Sequence, residues 1–256
     1  MADGLTYQGK TYQLIMFDLD DTLAPSKTAL SDEMVELFRE MLGSALGCII
    51  SGGQVGQFQS QVLDRIGEFD DRANLHLMPT NGTRYLRFEN PDWVTVYAED
   101  LSQEQKDRAM AVVEEGAKSL GLWETQTWGP ILEDRGSQVT FSALGQSAPV
   151  EAKSAWDADG RKKEALRAYA AERLPDLEVR SGGSTSVDIT AKGIDKAYGA
   201  RRLMEILNLG TEDILFFGDR LDPGGNDRPV MELGIESIAV HGWEDTYAKL
   251  ALIVRG

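Results

Sequence analysis

Three short apolar runs along the chain end in the same way. Leu14-Ile15-Met16-Phe17 stops at Asp18, Cys48-Ile49-Ile50 at Ser51 and two glycines, and Ile214-Leu215-Phe216-Phe217 at Gly218-Asp219. Continuous apolar runs of this length, bounded by turn residues, suit strands covered on both faces, as in a parallel sheet between helices. A further run, Ile238-Ala239-Val240, predicts another strand. Helical patterns lie between them. Ser31-Asp32-Glu33 is a capped start to a helix reaching Leu42, with Gly43 as its stop. Ile194, Ala197, Tyr198, Ala200, Leu203, Met204 and Leu207 recur at helical spacing before Gly210, which puts Lys196 in a first turn. The expected fold class is α/β, with a Rossmann-like core around a parallel sheet. In open sheets of this kind ligands bind outside the carboxyl ends of the strands, so polar residues placed there converge on one site.

The middle of the chain reads differently. Trp93 to Tyr97 alternates like a half-buried strand, and Ser102-Gln103-Glu104-Gln105 is a capping-box start to a helix running toward Leu120. Ile131 to Phe141 suggests a hairpin turning at Arg135-Gly136-Ser137. Asp157 to Leu174 suggests a helix, and Leu177 to Thr190 two strands around Gly182-Gly183. This α+β block is expected to be an inserted second domain, residues 84–190, covering a core made of 1–83 and 191–256, with hinges near Asn81-Gly82 and Lys192-Gly193.

Composition narrows the choice of partner. There are 26 basic against 42 acidic residues, a formal charge of -16, which argues against a nucleic-acid backbone or an anionic membrane surface as the main partner. A phosphate ester would need a local positive site built from a metal, a few Lys or Arg and backbone N–H groups. The single cysteine, Cys48, lies in an apolar run and reads as core, so no intramolecular disulfide is expected. No run approaches the apolar length of a membrane helix and no leader is evident, so the expected location is cytoplasmic. His76 and His241 are isolated and read as structural, and the five tryptophans read as packing.

The candidate chemistry lies at the run ends. Asp18 and Asp20, two residues apart beyond a strand, suit phosphoryl transfer, where one carboxylate attacks phosphorus and the other works on the leaving oxygen. Magnesium is held by one or two carboxylates with water and phosphate oxygens, and Asp219 is placed to join Asp18 in holding it. Taken singly, each feature also has an ordinary reading: a solvated acidic loop for Asp18-Leu19-Asp20, a glycine turn for Ser51, a hairpin tip for Arg135.

Together, Asp18-Leu19-Asp20-Asp21-Thr22, Ser51, Lys196, and Gly218-Asp219 followed by Asn226-Asp227 resemble in order and placement the four motifs of the haloacid dehalogenase superfamily. The resemblance implies Asp18 as nucleophile and Asp20 as general acid/base. It implies Ser51, Gly52 and Lys196 on the phosphoryl group, and Asp18, Asp20 and Asp219 at Mg2+, with Thr22, Asn226 and Asp227 in support. The position of the insertion points to the large α/β cap type. Pro223-Gly224-Gly225-Asn226-Asp227, Trp243-Glu244-Asp245-Thr246 and Gly182-Gly183-Ser184-Thr185-Ser186-Val187-Asp188 resemble segments of the eukaryotic-type phosphomannomutases. That likeness implies substrate contacts at Ser186 and Asp188, which alternate along a strand and so share a face.

The departures bear on the reaction. Mutases of this type grip a second phosphate with several cap arginines. Here Arg135 remains, Gln146 stands where an arginine is expected, and only Arg87 and Arg108 lie between Leu86 and Glu133. Replacing a charge-assisted contact by an amide costs roughly 1–3 kcal/mol of phosphate binding. By the same resemblance Lys27 stands in for a substrate-binding arginine of the first loop, and Asp21 replaces a glycine. The expectation is a magnesium-dependent phosphatase acting on a small phosphorylated sugar or metabolite through an aspartyl-phosphate. A phosphomannomutase-type mutase is the alternative, and a non-catalytic phosphoacceptor or ligand-binding domain is the second alternative. A homodimer through the cap is left open by the resemblance.

Overall fold

The computed structural model describes residues 3–256 as two compact units, 3–98 with 195–256, and 99–194. In chain order the first piece of the larger unit carries β1 (Leu5–Tyr7), β2 (Lys10–Tyr12), β3 (Leu14–Phe17), α1 (Asp32–Leu42) and β4 (Leu46–Ile50). There follow α2 (Val55–Phe58), a π turn (Gln59–Leu63), α3 (Asp64–Ile66), β5 (Leu75–Met78), β6 (Arg84–Glu89) and β7 (Asp92–Ala98). The smaller unit holds α4 (Gln103–Ser119), β8 (Leu132–Asp134), β9 (Gln138–Ser142), α5 (Val150–Trp156), α6 (Arg161–Arg173), β10 (Leu177–Ser181) and β11 (Ser186–Ala191). The chain returns through α7 (Lys196–Leu207), β12 (Ile214–Gly218), α8 (Arg228–Glu232), β13 (Glu236–Ala239) and α9 (Trp243–Arg255).

The larger unit is built on a seven-stranded sheet of order β13-β12-β3-β4-β5-β6-β7. The strands from β13 to β5 pair in parallel, and β6 and β7 add antiparallel. The apolar runs are continuous because both faces are covered, and successive residues divide between two cores. Ile15, Phe17, Ile49, Leu215 and Phe217 pack on one side with α1 and α9. Leu14, Met16, Cys48, Ile50, Ile214 and Phe216 pack on the other with Ala200 and Leu203 of α7 and Val230 of α8. Phe17 stacks on Phe217 with ring centres 5.1 Å apart, which ties the ends of the two central strands together.

Helix α1 begins where the capping pattern put it, with Ser31 Oγ accepting the Met34 N–H. Helix α7 begins at Lys196, later than the periodicity suggested, because the Asp195 carboxylate accepts the Tyr198 N–H and fixes the N-cap there. Its approach to the sheet is close. A Cβ on Gly199 would lie 2.5 Å from Ile50 Cδ1 and 2.7 Å from the Asn81 carbonyl, so only glycine lets the helix lie against that loop.

The unit boundary differs from the one expected at residues 83 and 84. Strands β6 and β7 hydrogen-bond to the edge of the larger sheet, with His76 opposite Arg87 and Leu77 opposite Leu86, so 84–98 belong to that unit and Asn81-Gly82 lies inside it. Alternation in 93–97 reported a half-buried strand correctly; it carries no information on which sheet the strand joins.

The smaller unit is a four-stranded antiparallel sheet, β10-β11-β9-β8. Val139, Phe141, Val179, Val187 and Ile189 pack on α4 and α6 through Ala109, Val113, Ala117, Leu166 and Ala170. The helix expected over 157–174 begins at Arg161. Asp157 stands outside it and caps it, its carboxylate accepting the N–H groups of Lys162 and Lys163 at 3.0 Å each.

Candidate active site

The nucleophile candidate sits where the sheet delivers it. Asp18 directly follows β3, its N–H bonding the Phe217 carbonyl of β12 at 3.0 Å, and its side chain is buried. Beyond it the chain turns back, with Leu23 N–H on the Leu19 carbonyl at 2.9 Å and a bridge between Asp20 and Ala24. Asp21 takes φ +59°, the left-handed region that glycine enters most freely and that Asp tolerates. Its carboxylate accepts the Ser26 N–H at 3.0 Å, which offsets the departure from glycine at this position.

Lys196, at the start of α7, reaches this point with its ammonium 2.5 Å from Asp18 Oδ1 and 2.5 Å from Asp227 Oδ1. Lys196 and Asp227 are almost wholly buried. The loop after β12 is folded tightly enough to bring Asp227 back under its own strand. Gly225 N–H bonds the Asp222 carbonyl at 2.8 Å, and the Arg220 N–H bonds Asp227 Oδ2 at 3.0 Å. A Cβ on Gly225 would come within 2.0 Å of the Arg220 carbonyl, and one on Gly218 within 2.6 Å of Asp227 Oδ2. Gly225 therefore permits the tight closure of the loop, and Gly218 leaves room for the Asp227 carboxylate.

Asp219 completes the cluster: one oxygen from each of Asp18, Asp219 and Asp227 lies within 4.8 Å of the others. Thr22 Oγ1 donates to Asp219 Oδ1 at a long 3.5 Å. Burial raises the Asp18 carboxyl well above the usual range, Lys196 opposing and Asp227 reinforcing the shift. Asp219 is raised by burial and by Asp227. For Lys196, burial works against the charged form, but Asp18 and Asp227 outweigh it and the ammonium is held above its ordinary pKa. Three carboxylates thus share one ammonium, and the repulsion left over is what a further cation would relieve. The donors are all hard oxygens, the set that suits magnesium. The residues fit such an ion.

The structure distributes the other candidates unevenly. Asp227, expected only in support, is inside the acidic cluster. The Asp20 carboxylate is outside it, accepting the Lys27 N–H at 2.7 Å and the Gln57 carboxamide at 2.8 Å. Lys27 enters through its backbone, at φ +58°, while the residue itself is exposed. Ser51 follows β4, the neighbour of β3, and Gly52 comes next. Ser51 Oγ accepts the Gly53 N–H at 3.2 Å, the turn-forming contact that its sequence context also suggested. Asn226 is exposed.

Within the smaller unit the polar face of the sheet is a bonded set. Asp188 Oδ1 accepts Thr140 Oγ1 and Gln138 Nε2, both at 2.8 Å, and Ser186 lies opposite Ser142. Gln146 Nε2 donates to Ser142 Oγ at 2.7 Å, and Arg135 forms a pair with Glu133 at 2.7 Å. Gln138, Thr140 and Glu133 were not singled out from sequence; for Gln138 and Thr140 their alternation with Val139 and Phe141 was the available signal.

Comparison with known proteins agrees with this architecture. Residues 144–254 match the family model of the haloacid dehalogenase-like hydrolases. Over 243 residues the chain is 24% identical to a phosphomannomutase of Encephalitozoon cuniculi, covering 93% of this chain and 91% of that protein. Over 231 residues it is 26% identical to a phosphomannomutase of Saccharomyces cerevisiae, covering 86% and 85%. Among solved structures, a truncated, IMP-bound IMP-nucleotidase of Plasmodium falciparum superposes with a TM-score of 0.67 at 15% identity, over 96% of this chain and 68% of that one. A haloacid dehalogenase-like hydrolase from Bacteroides thetaiotaomicron superposes with a TM-score of 0.62 at 15% identity, over 95% and 100%. At these identities the superpositions speak for the fold.

Proposed function

We propose that this protein, which has the haloacid dehalogenase fold and is similar over most of its length to eukaryotic phosphomannomutases, is a magnesium-dependent phosphatase of a small phosphorylated sugar or related metabolite. The observation that carries the reading is the buried Lys196 ammonium held 2.5 Å from Asp18, with Asp219 at the neighbouring strand end and Asp227 from the loop that follows it. A carboxylate so pinned has its oxygen presented and its rotamer fixed, as in-line attack requires.

In the first half-reaction an Asp18 oxygen bonds to phosphorus, the bond from phosphorus to the ester oxygen breaks, and Asp20 gives its proton to the departing oxygen. In the second, Asp20 takes a proton from water, the water oxygen bonds to phosphorus, and the bond to Asp18 breaks, releasing phosphate. Lys196 offsets negative charge beside the transferring group, and Ser51 and Gly52 lie at the adjacent strand end to receive it. Asp18, Asp219 and Asp227 would hold Mg2+, which supplies positive charge to the phosphoryl oxygens when bound. The setting is an intracellular one, with a soluble metabolite as partner.

Water is favoured over a sugar hydroxyl as acceptor because the two side chains of the smaller unit considered for a second phosphate are engaged within it, Arg135 on Glu133 and Gln146 on Ser142. A mutase needs a firm hold on a second phosphate to keep its bisphosphate intermediate. The mutase reading rests on the 24–26% identity to phosphomannomutases over most of both chains. Purified protein should release phosphate from a panel of sugar phosphates in the presence of magnesium, and Asp18→Asn should lose turnover by on the order of 10³-fold or more. No release from any ester would defeat the phosphatase reading. Bisphosphate-stimulated conversion of mannose 1-phosphate to mannose 6-phosphate would select the mutase, and full turnover in Asp18→Asn would defeat the aspartyl-phosphate route.

A further inference from the structure

The helical segment after Ser51 is interrupted by a π turn, Gln59–Leu63, between α2 and α3. Such turns are rare inside α-helical segments and are frequent at functional sites. Two side chains from this segment meet one carboxylate. Gln57 Nε2 donates to Asp20 Oδ2 at 2.8 Å, and Gln61 Nε2 faces Asp20 Oδ1 at 3.4 Å while bonding the Thr28 carbonyl at 2.5 Å. With the Lys27 N–H on Oδ1, both oxygens of Asp20 are engaged.

Two further features show that this meeting is accommodated at a cost. Gln61 is buried, and its Oε1 has no hydrogen-bond partner among the described residues. A buried unpaired acceptor is a cost that an apolar side chain would avoid. Gly53 makes room for the other amide: a Cβ there would lie 2.2 Å from Gln57 Oε1. The second glycine of Ser51-Gly52-Gly53 thus serves the Gln57 carboxamide as well as the turn.

We propose that Gln57 is a positioning residue for Asp20, with Gln61 as its buried support, the two amides and the Lys27 N–H holding the carboxyl in one rotamer. The proposal rests on the reading of Asp20 as the group that protonates the leaving oxygen. Without the Gln57 amide, Oδ2 loses its donor and the carboxyl is held through Oδ1 alone, so it samples more orientations and the proton reaches the leaving oxygen less often. Esters with an alkoxide leaving group need that proton as the phosphorus–oxygen bond breaks. A p-nitrophenyl ester departs as a stable phenolate and does not.

The test uses the full chain with magnesium and compares kcat/KM for mannose 6-phosphate, or whichever alkyl phosphate the parent hydrolyses best, with that for p-nitrophenyl phosphate. Gln57→Leu should lose roughly 10- to 100-fold on the alkyl ester and less than about 3-fold on the phenyl ester, a share of what a placed acid contributes. Gly53→Ala, which displaces the amide without removing it, should show the same asymmetry in smaller degree, and the melting temperature of both variants should stay near the parent's. Equal losses on the two esters, or none on either, would overturn the proposal. A readout without turnover accompanies it: the side-chain amide resonances of Gln57 should move in Asp20→Ala. If they do not, the contact is absent and the proposal fails. If they do while the parent cleaves neither ester, the positioning contact stands and the catalytic reading of Asp20 is what falls, taking the proposed role with it.

Discussion

Nζ of Lys196 lies 2.5 Å from Oδ1 of Asp18, and almost nothing of either side chain reaches water. The same ammonium holds Asp227 at 2.5 Å. Burying such a pair gains little net stability, because removing two ions from water offsets most of their attraction, yet taking away one partner strands the other. The contact is better understood as a means of holding a carboxylate in one place than as a staple for the fold.

Lys196→Met should therefore destabilise the protein by about 3–5 kcal/mol, through two carboxylates left in a buried site without their counter-ion. Urea unfolding at pH 7 reads the difference directly. A change below about 1 kcal/mol would mean that Asp18 and Asp227 find compensation elsewhere.

Magnesium should raise the melting temperature, since an ion that binds only the folded chain adds about 2.7 kcal/mol at one hundred times its Kd. Asp219→Asn should weaken that response, because it replaces one of the three clustered carboxylates by a neutral amide and so removes a charge that attracts the cation. Calorimetry across a magnesium titration separates the two proteins; an unchanged response would take Asp219 out of the metal set.

His76 should make stability pH-dependent. Burial, with Arg87 opposite it on β6, lowers its pKa to about 4, and its Nδ1 bonds the Tyr85 hydroxyl at 2.8 Å. An unfolded-chain histidine titrates near 6.5. As pH falls from 6.5 toward 4 the unfolded chain takes up the proton first, so stability present above pH 6.5 declines through that window by about 3 kcal/mol in all. Unfolding free energies at pH 7 and pH 4.5 should differ less in His76→Gln than in the parent, after allowing for the carboxylates that titrate in both.

Gly199→Ala should cost about 1–3 kcal/mol through overpacking, because its Cβ would meet Ile50 and the backbone of Asn81 and Gly82. Since Gly199 lies one turn beyond Lys196 in α7, turnover should fall along with the melting temperature. A variant with parental stability and activity would show that this contact yields without moving the helix.

Much of the candidate site was legible locally. Asp18, Ser51 and Asp219 stand at the ends of apolar runs, and a strand end is recognisable without knowing its neighbours. Lys196 could be placed in a helix start by the periodicity of Ala197, Ala200 and Leu203, though Asp195 set the cap one residue past Ile194. Gln57 and Gln61 had no such signal. Their segment, Gln54 to Leu63, has no α periodicity clear enough to read, since the π turn breaks it.

What the sequence determined by itself was the character of each strand, the chemistry at its end, and the likeness to the haloacid dehalogenase motifs, all of which are encoded over a few neighbouring residues. Only the tertiary structure decided that 84–98 extend the larger sheet, that Asp227 stands in the acidic cluster, and that two glutamines hold Asp20 outside it. The reason is geometric. Alternation and capping record which face a residue turns and where an element stops, whereas strand partners and shared counter-ions depend on distances set by sheet register and loop closure, and residues nine or two hundred positions apart leave no common local mark.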